Sequence, residues 1–334
     1  MENIIEIKNI TKEFKVLNRR EGLKGSIKDL FSRNYKTIRA VDNISMNIKQ
    51  GEIVGYLGPN GAGKSTTMNM IVGYLPPTSG TITIDGIDIS KNPKEAKSKI
   101  GYLPELPPLY MDMKVIEYLR FVAGIKNVPR DKRELQIDRA MSRLKITDMK
   151  NRVIKNLSKG YRQRVGFAQA IIGEPKVIIL DEPTVGLDPN QVLEVRDLIN
   201  KLKKEHTIIF SSHILQEVSA VCDRVVIINK GEVKAVDTME NLSNNGDGKV
   251  KLRIKIEGDR YEAADILRKT TGVLDVSDFK KETYKTFEYT VLIDSEDSRK
   301  HVISALNDNG FAVLEIQTIK MSLEEIFVKI TQGK

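Results

Sequence analysis

IVGYLGPNGAGKST, residues 53–66, changes character twice within a few positions. Ile53 to Leu57 is an apolar run with the length of a buried strand, and it ends in a glycine-rich turn from Gly58 to Gly63. Lys64 and Ser65 then open a run, Thr67 to Leu75, whose pattern predicts a helix. Strand, glycine loop and helix in that order are the setting that a G-x-x-x-x-G-K-S/T phosphate-binding loop requires, so the fold class is α/β.

The spacing has a chemical reason. Gly58, Gly61 and Gly63, with Asn60 among them, let backbone N–H groups wrap a di- or triphosphate with no Cβ in the way. The helix N-terminus adds partial positive charge at the same point. Lys64 is expected to reach the β and γ phosphates, the Ser65 hydroxyl to ligate Mg²⁺, and Thr66 to assist at a phosphate oxygen.

A second cluster lies further along the chain. Val177 to Leu180 reads as a buried strand ending in Asp181-Glu182. An acid at that place, beside a phosphate loop, holds Mg²⁺ through its water shell, which is the role expected of Asp181. Glu182 is placed to orient and deprotonate an attacking water. Thr207 to Phe210 is another short strand, followed by Ser211-Ser212-His213, and a histidine there reaches toward a γ-phosphate. Before these, Leu157-Ser158-Lys159-Gly160-Tyr161 precedes a helical run. Ser158 stands at the N-cap position and Gly160 permits close backbone approach, a second phosphate-binding helix start. Gly186-Leu187-Asp188-Pro189 turns into the next helix with Pro at its first position.

Bulk properties narrow the setting. At 334 residues the chain has room for about two domains. Its apolar runs are far shorter than the ~20 residues that span a bilayer, and the acidic start MENIIEIKNI does not read as a signal peptide. A single cysteine, Cys222, excludes an internal disulfide and suits a reducing compartment. The expectation is a soluble, cytosolic chain.

Much of the formal net charge of +9 sits between Lys12 and Arg39, where nine basic residues face three acids, Glu13, Glu21 and Asp29. Within this basic insert, residues 15–39, Leu23, Ile27, Leu30 and Phe31 follow helical spacing, which suits a membrane surface, a partner's helices, or docking on its own domain. Strands are predicted on either side, at Ile4 to Ile10 and around Ile44, Met46 and Ile48. An antiparallel layer beside a nucleotide site offers a base platform, and Phe14 and Tyr35 compete as the aromatic that stacks on it. Gly80 to Asp88 reads as a hairpin turning at Asp85-Gly86, and Ile100 to Leu103 as a strand running into Pro104-Glu105. Val115 to Lys145 has a helical pattern, as expected of an inserted helical subdomain at about 106–170.

These motifs, in this order over roughly Asn3 to Leu242, resemble the ATP-binding subunit of ABC transporters. In that family's terms GPNGAGKST is the Walker A loop and Glu105 holds the Q-loop position. LSKGY is the signature, IILDE the Walker B motif with Glu182 as base, Gly186-Leu187-Asp188 the D-loop and His213 the switch histidine. The resemblance implies a P-loop NTPase with a mixed core sheet, an antiparallel β layer and a helical subdomain. It implies ATP and Mg²⁺ as cofactors, with Ser65, Glu105 and Asp181 toward the metal. The partners implied are transmembrane permease subunits and a second copy of the chain pairing head to tail, with no nucleic acid. The protein would then be held at the inner face of the membrane by its permease. Two positions depart from the pattern: Glu105 replaces Gln, and LSKGY replaces LSGGQ. An ionised Glu keeps an oxygen for a cation and donates no hydrogen bond.

Both departures, with the segment GYLPELPPLYMDMKVIEYLRFVAG, look like the ABC-2 type exporter branch, and the basic insert is similar to one in polysaccharide-exporting relatives. The family's stacking aromatic stands five residues before the alanine that opens the second strand, which selects Tyr35 over Phe14. The alternative is a soluble ABC-type ATPase acting on ribosomes or nucleic acid, which the basic charge would suit.

After residues 1–242, the ATP-binding domain, the polar stretch Ser243 to Gly248 reads as a linker. In residues 249–334 the alternation at Val250, Leu252, Ile254 and Ile256 and the runs that follow predict strand, helix, two strands, helix and strand. That is a small α+β ferredoxin-like domain. Ser322 to Glu325 reads as a capping box opening a final helix.

Overall fold

Every side chain of Ile53–Leu57 is buried, because this strand lies inside a parallel sheet covered on both faces. The computed structural model describes residues 2–17, 35–238, 241, 249–281, 285–319 and 326–328. It divides between Val236 and Asp237 into two units.

The first unit runs β1 (Asn3–Leu17), β2 (Tyr35–Lys49), β3 (Ile53–Leu57), α1 (Lys64–Ile71), β4 (Ser79–Ile84), β5 (Ile87–Asp88), α2 (Pro93–Ser98) and β6 (Ile100–Leu103). It continues with α3 (Val115–Ile125), α4 (Arg130–Arg143), α5 (Lys159–Ile171), β7 (Val177–Asp181), α6 (Pro189–Leu202), β8 (Thr207–Ser212), α7 (Leu215–Val221), β9 (Arg224–Asn229) and β10 (Glu232–Thr238). The core sheet has the order β10-β9-β3-β8-β7-β6. Strands β6, β7, β8, β3 and β9 pair in parallel, so their carboxyl ends share one edge. The phosphate loop leaves β3 at that edge, between β8 and β9, the crevice where open α/β sheets bind ligands.

A second, antiparallel sheet, β2-β1-β4-β5, packs Ile5, Ile7, Ile44 and Ile48 on the core. Its first two strands are longer than the alternating residues suggest. The β1–β2 ladder continues through Phe14↔Ile38 to Leu17↔Tyr35, whereas β4 stays with β1 only as far as Thr11↔Ser79. The outer part is therefore a two-stranded ribbon with Phe14, Val16, Tyr35 and Ile38 exposed. The amphipathic stripe Leu23, Ile27, Leu30 and Phe31 lies outside the described residues.

Helices α3, α4 and α5 form the helical region. Lys126, just past α3, is half-buried, and its Nζ donates to the carbonyls of Gln169 at 2.6 Å, Ala170 at 3.0 Å and Ile172 at 2.8 Å. An ammonium at the carboxyl end of α5 meets that helix's negative pole, while burial pulls its pKa down to about 8. It ties the end of one helix to the end of the other.

The second unit comprises β11 (Val250–Glu257), α8 (Arg260–Lys269), β12 (Val273–Lys281), β13 (Thr286–Ile293), α9 (Ser298–Asp308) and β14 (Ala312–Ile319). Its antiparallel sheet, β12-β13-β11-β14, buries Leu252, Ile254, Ile256 and Val291 against Leu267, Val302 and Leu306 of the helices, a ferredoxin-like arrangement. Of the expected final helix only 326–328 fall among the described residues, and the Ser243–Gly248 linker falls outside them. No described helix is long and apolar enough to cross a membrane.

Candidate active site at the carboxyl edge of the core sheet

The loop after β3 has the shape its glycines allow. Gly63 caps α1 at φ 103°, and a Cβ there would lie 2.6 Å from the carbonyl oxygen of Ala40. At Gly58 a Cβ would lie 2.5 Å from the carbonyl oxygen of Ile228. Side chains at either position would push the loop away from the strands that support it. Lys64, itself buried, curls back over the loop and donates to the carbonyls of Gly58 at 2.7 Å and Pro59 at 3.5 Å.

Above the loop opens a cleft of about 330 Å³, lined by Asn60, Gly61, Gly63, Lys64, Ser65 and Thr66 and, from across the edge, by Glu105, Glu182 and His213. The volume falls in the range of small-molecule sites. Glu182, 8% exposed, carries one partner on each oxygen: Lys64 Nζ at 3.5 Å from Oε1 and His213 Nδ1 at 2.8 Å from Oε2. Its backbone sits at φ 49°, uncommon for a residue with a Cβ and a conformation that concentrates at functional sites. Strand β8 holds it there, since Glu182 N–H donates to Ser211 O at 3.2 Å and to Ser211 Oγ at 3.1 Å.

Asp181, the last residue of β7, accepts the Ser211 hydroxyl at 2.5 Å. Burial raises its pKa above the usual carboxylate value, and hydrogen bonds from Ser211 and Ser65 work against that rise, as does the charge on Lys64, while Glu182 adds to it. Ser65 and Asp181 thus stand side by side at the mouth of the loop. Their oxygen atoms, with those of a bound phosphate, make a donor set suited to a hard divalent cation.

Other residues singled out from the sequence stand elsewhere. Ser158, Gly160 and Asp188 do not line the cleft. Ser158 caps α5, with Tyr161 N–H at 3.4 Å from its Oγ, and Asp188 caps α6, with Gln191 N–H at 3.0 Å. Gly160 faces the Gln191 side chain, which a Cβ would meet at 2.8 Å. Neither Tyr35 nor Phe14 lines the cleft, whereas Ala40 does. Residues the sequence reading passed over also take part: Val185 in the lining, and Thr184, Ser212 and Glu217 in a hydrogen-bonded group behind it. The doublet Ser211-Ser212 before His213 was their visible signal.

Comparison with known proteins agrees with this geometry. Residues 41–185 match the family described as ABC transporter, and residues 247–331 match the C-terminal domain of DrrA1-3-like ATP-binding proteins. The bacitracin transport ATP-binding protein BcrA of Bacillus licheniformis is 32% identical over 304 residues, covering 90% of this chain and 95% of that protein. The chain belongs to the ABC transporter ATP-binding proteins. A second relative, the linearmycin resistance ATP-binding protein LnrL of Bacillus subtilis, is 32% identical over 89% of this chain and 94% of its own length. Among solved structures, a dimeric ATP-binding cassette in a post-hydrolysis state with ADP and phosphate superposes with a TM-score of 0.59 at 25% identity, covering 70% of this chain and 98% of that one. The fold is that of an ABC ATPase, and the chain is an ATPase that powers a transporter. The reading as a ribosome- or nucleic-acid-directed ATPase is not favoured.

Proposed function

We propose that ATP binds on the loop Gly58–Thr66, that Glu182 removes the proton from the attacking water, and that His213 steadies Glu182 and the γ-phosphate. The observation that carries this is the convergence of Lys64, Glu182 and His213 on one cleft, with Glu182 within 3.5 Å of Lys64 and 2.8 Å of His213. Mg²⁺ would be held by Ser65 and Asp181, with Glu105 near it, and would supply neutralisation of phosphate charge. In this chain Lys64 binds phosphate, Ser211 orients Asp181 and Glu182, and Glu182 takes up the proton at a carboxylate oxygen.

A second copy completes the site in this reading. Ser158 stands exposed at a helix N-terminus outside its own chain's cleft, where it would cover the phosphates of a partner copy, with Gly160 behind it against Gln191. For the base platform, strand register favours Phe14 over Tyr35. Phe14 lies opposite Ile38, two residues from the cleft-lining Ala40. Tyr35 is five residues from Ala40, roughly 17 Å along an extended strand, a long reach for the base of a nucleotide whose phosphates sit on the loop.

The permease partner is expected at the helical region. Leu106, Tyr110, Met111 and Phe121 are exposed there, with the Tyr110 and Phe121 rings 5.1 Å apart, and the segment that carries them begins beside the cleft-lining Glu105. The chain would then sit at the inner membrane face through that partner. The test is purification of the tagged chain from detergent-solubilised membranes. A stoichiometric multi-spanning protein should accompany the wild type and be lost with Phe121→Glu. Recovery with ribosomes or nucleic acid instead would overturn the transporter partner.

A further inference from the structure

Glu217, in the first turn of α7, is 3% exposed, and among the described residues no cation stands within ion-pair distance of it. One of its oxygens, Oε2, accepts two hydroxyls: Thr184 Oγ1 at 2.6 Å and Ser212 Oγ at 3.0 Å. Ser212 Oγ accepts in turn from Ile214 N–H at 3.0 Å. Thr184 and Ser212 are buried as well. A carboxylate removed from water with no counter-charge is costly, and hydroxyl donors offset only part of that cost. Filling the space with an apolar side chain would hold the packing without the expense, so packing alone does not account for Glu217.

What the two hydroxyls belong to does. Thr184 is two residues beyond Glu182 and adjoins Val185, which lines the cleft; Ser212 immediately precedes His213. The loops that carry Glu182 and His213 are thus fastened to the same buried oxygen, and at their far side the two residues meet at 2.8 Å. We infer that Glu217 is a positioning residue for hydrolysis: holding Thr184 and Ser212 on one oxygen, it sets the approach of His213 to Glu182 and the path of the chain into the Gly186–Asp188 turn. Displacements of about 1 Å at such a contact cost on the order of a hundredfold in rate. The inference rests on the assignment of Glu182 as base.

The experiment is steady-state ATP hydrolysis by the purified full chain, with thermal stability measured alongside. Glu217→Ala should lower kcat at least tenfold while KM changes less than threefold. Glu217→Gln, whose amide oxygen can accept both hydroxyls, should recover most of that loss. The inference is overturned if Glu217→Ala keeps kcat within threefold, if its loss lies in KM, or if Glu217→Gln is as impaired as Glu217→Ala. Should Glu217→Ala not fold, Thr184→Val, which removes one of the two hydrogen bonds and leaves the Ile214 N–H bond to Ser212 in place, decides: kcat must fall at least tenfold with KM held. Glu182→Gln run in parallel separates the two ideas. Activity surviving in Glu182→Gln removes the base, whereas activity surviving in Glu217→Ala removes only the positioning.

Discussion

Replacing Glu182 by Gln probes the proposed chemistry with the least disturbance to the fold. Volume and shape are kept, and the 8% exposure leaves little room for the side chain to turn away. The amide puts a donor where the carboxylate offers acceptors only, and it has no lone pair basic enough to take a proton from water. A positioned base contributes about 10²–10⁴-fold, or roughly 3–5 kcal/mol at 1.36 kcal/mol per decade. The same change removes a negative charge that stands 3.5 Å from Lys64, so Lys64 loses its acidic partner and the γ-phosphate meets less repulsion. Nucleotide affinity should therefore hold or tighten while kcat falls by two orders of magnitude or more. Phosphate release at saturating ATP measures the first quantity and equilibrium titration with a fluorescent ATP analogue the second. Residual turnover above about a tenth of wild type would refute the assignment of the base, and so would a parallel loss of binding.

Further outcomes follow from particular contacts. Phe14→Ala should weaken ATP binding, while Tyr35→Ala leaves it unchanged; a stacked base is worth about 1–3 kcal/mol, or five- to more than a hundredfold in Kd, and the reverse order would restore Tyr35 as the platform. Gly101→Ala would set a Cβ 2.2 Å from the Ala170 carbonyl oxygen and 2.9 Å from Pro175, so denaturant titration should show a loss of about 3 kcal/mol, and a loss under 1 kcal/mol would contradict the packing of β6 on α5. His206 is buried with its ring nitrogen 2.6 Å from the Pro175 carbonyl, and burial holds its pKa below the ordinary 6.5. As pH falls through 6.5 the unfolded chain takes up a proton that the folded chain refuses, so stability declines toward pH 5 and is fully present above pH 7. His206→Gln should flatten that decline, and equal slopes from pH 7 to 5 in both proteins would show that His206 is not its source.

Much of the fold was legible because burial and periodicity coincide in it. The strands at Ile53, Ile100 and Val177 announce themselves as short apolar runs, since a parallel strand covered on both faces has no polar side to confuse the reading. The outer part of the β1–β2 ribbon did not, because its side chains at Lys15, Lys36 and Thr37 are exposed and leave no buried face for a period to report. The loop at Gly58 to Ser65 and the Asp181-Glu182 pair stood out for a different reason: they are the residue types that phosphate and cation chemistry would require, and the structure gathers them at one sheet edge. Glu217, Thr184 and Lys126 carry no such signature. Their roles depend on which loops the topology brings within 3 Å, and a glutamate in an amphipathic helix looks like any surface acid until the neighbours are known.

The site draws its geometry from adjacency of strands more than from any motif. Strands β7 and β8 pair in register up to Asp181↔Ser211, which leaves Glu182 just past the last ladder position, at φ 49°. A single serine at the end of β8 then serves both acids, donating to Asp181 and accepting from Glu182 N–H. The next residue, Ser212, turns to Glu217, and the one after it, His213, reaches Glu182. Three consecutive side chains thus divide the work, since Ser211 holds the two acids, Ser212 holds the loop and His213 contacts Glu182. Strain at Glu182 is tolerated because two strands constrain it from one side and Lys64 and His213 from the other. A carboxylate held in this way has little freedom to turn, and in the proposed reaction that rigidity would keep its oxygens toward a water attacking a phosphate on the Lys64 loop.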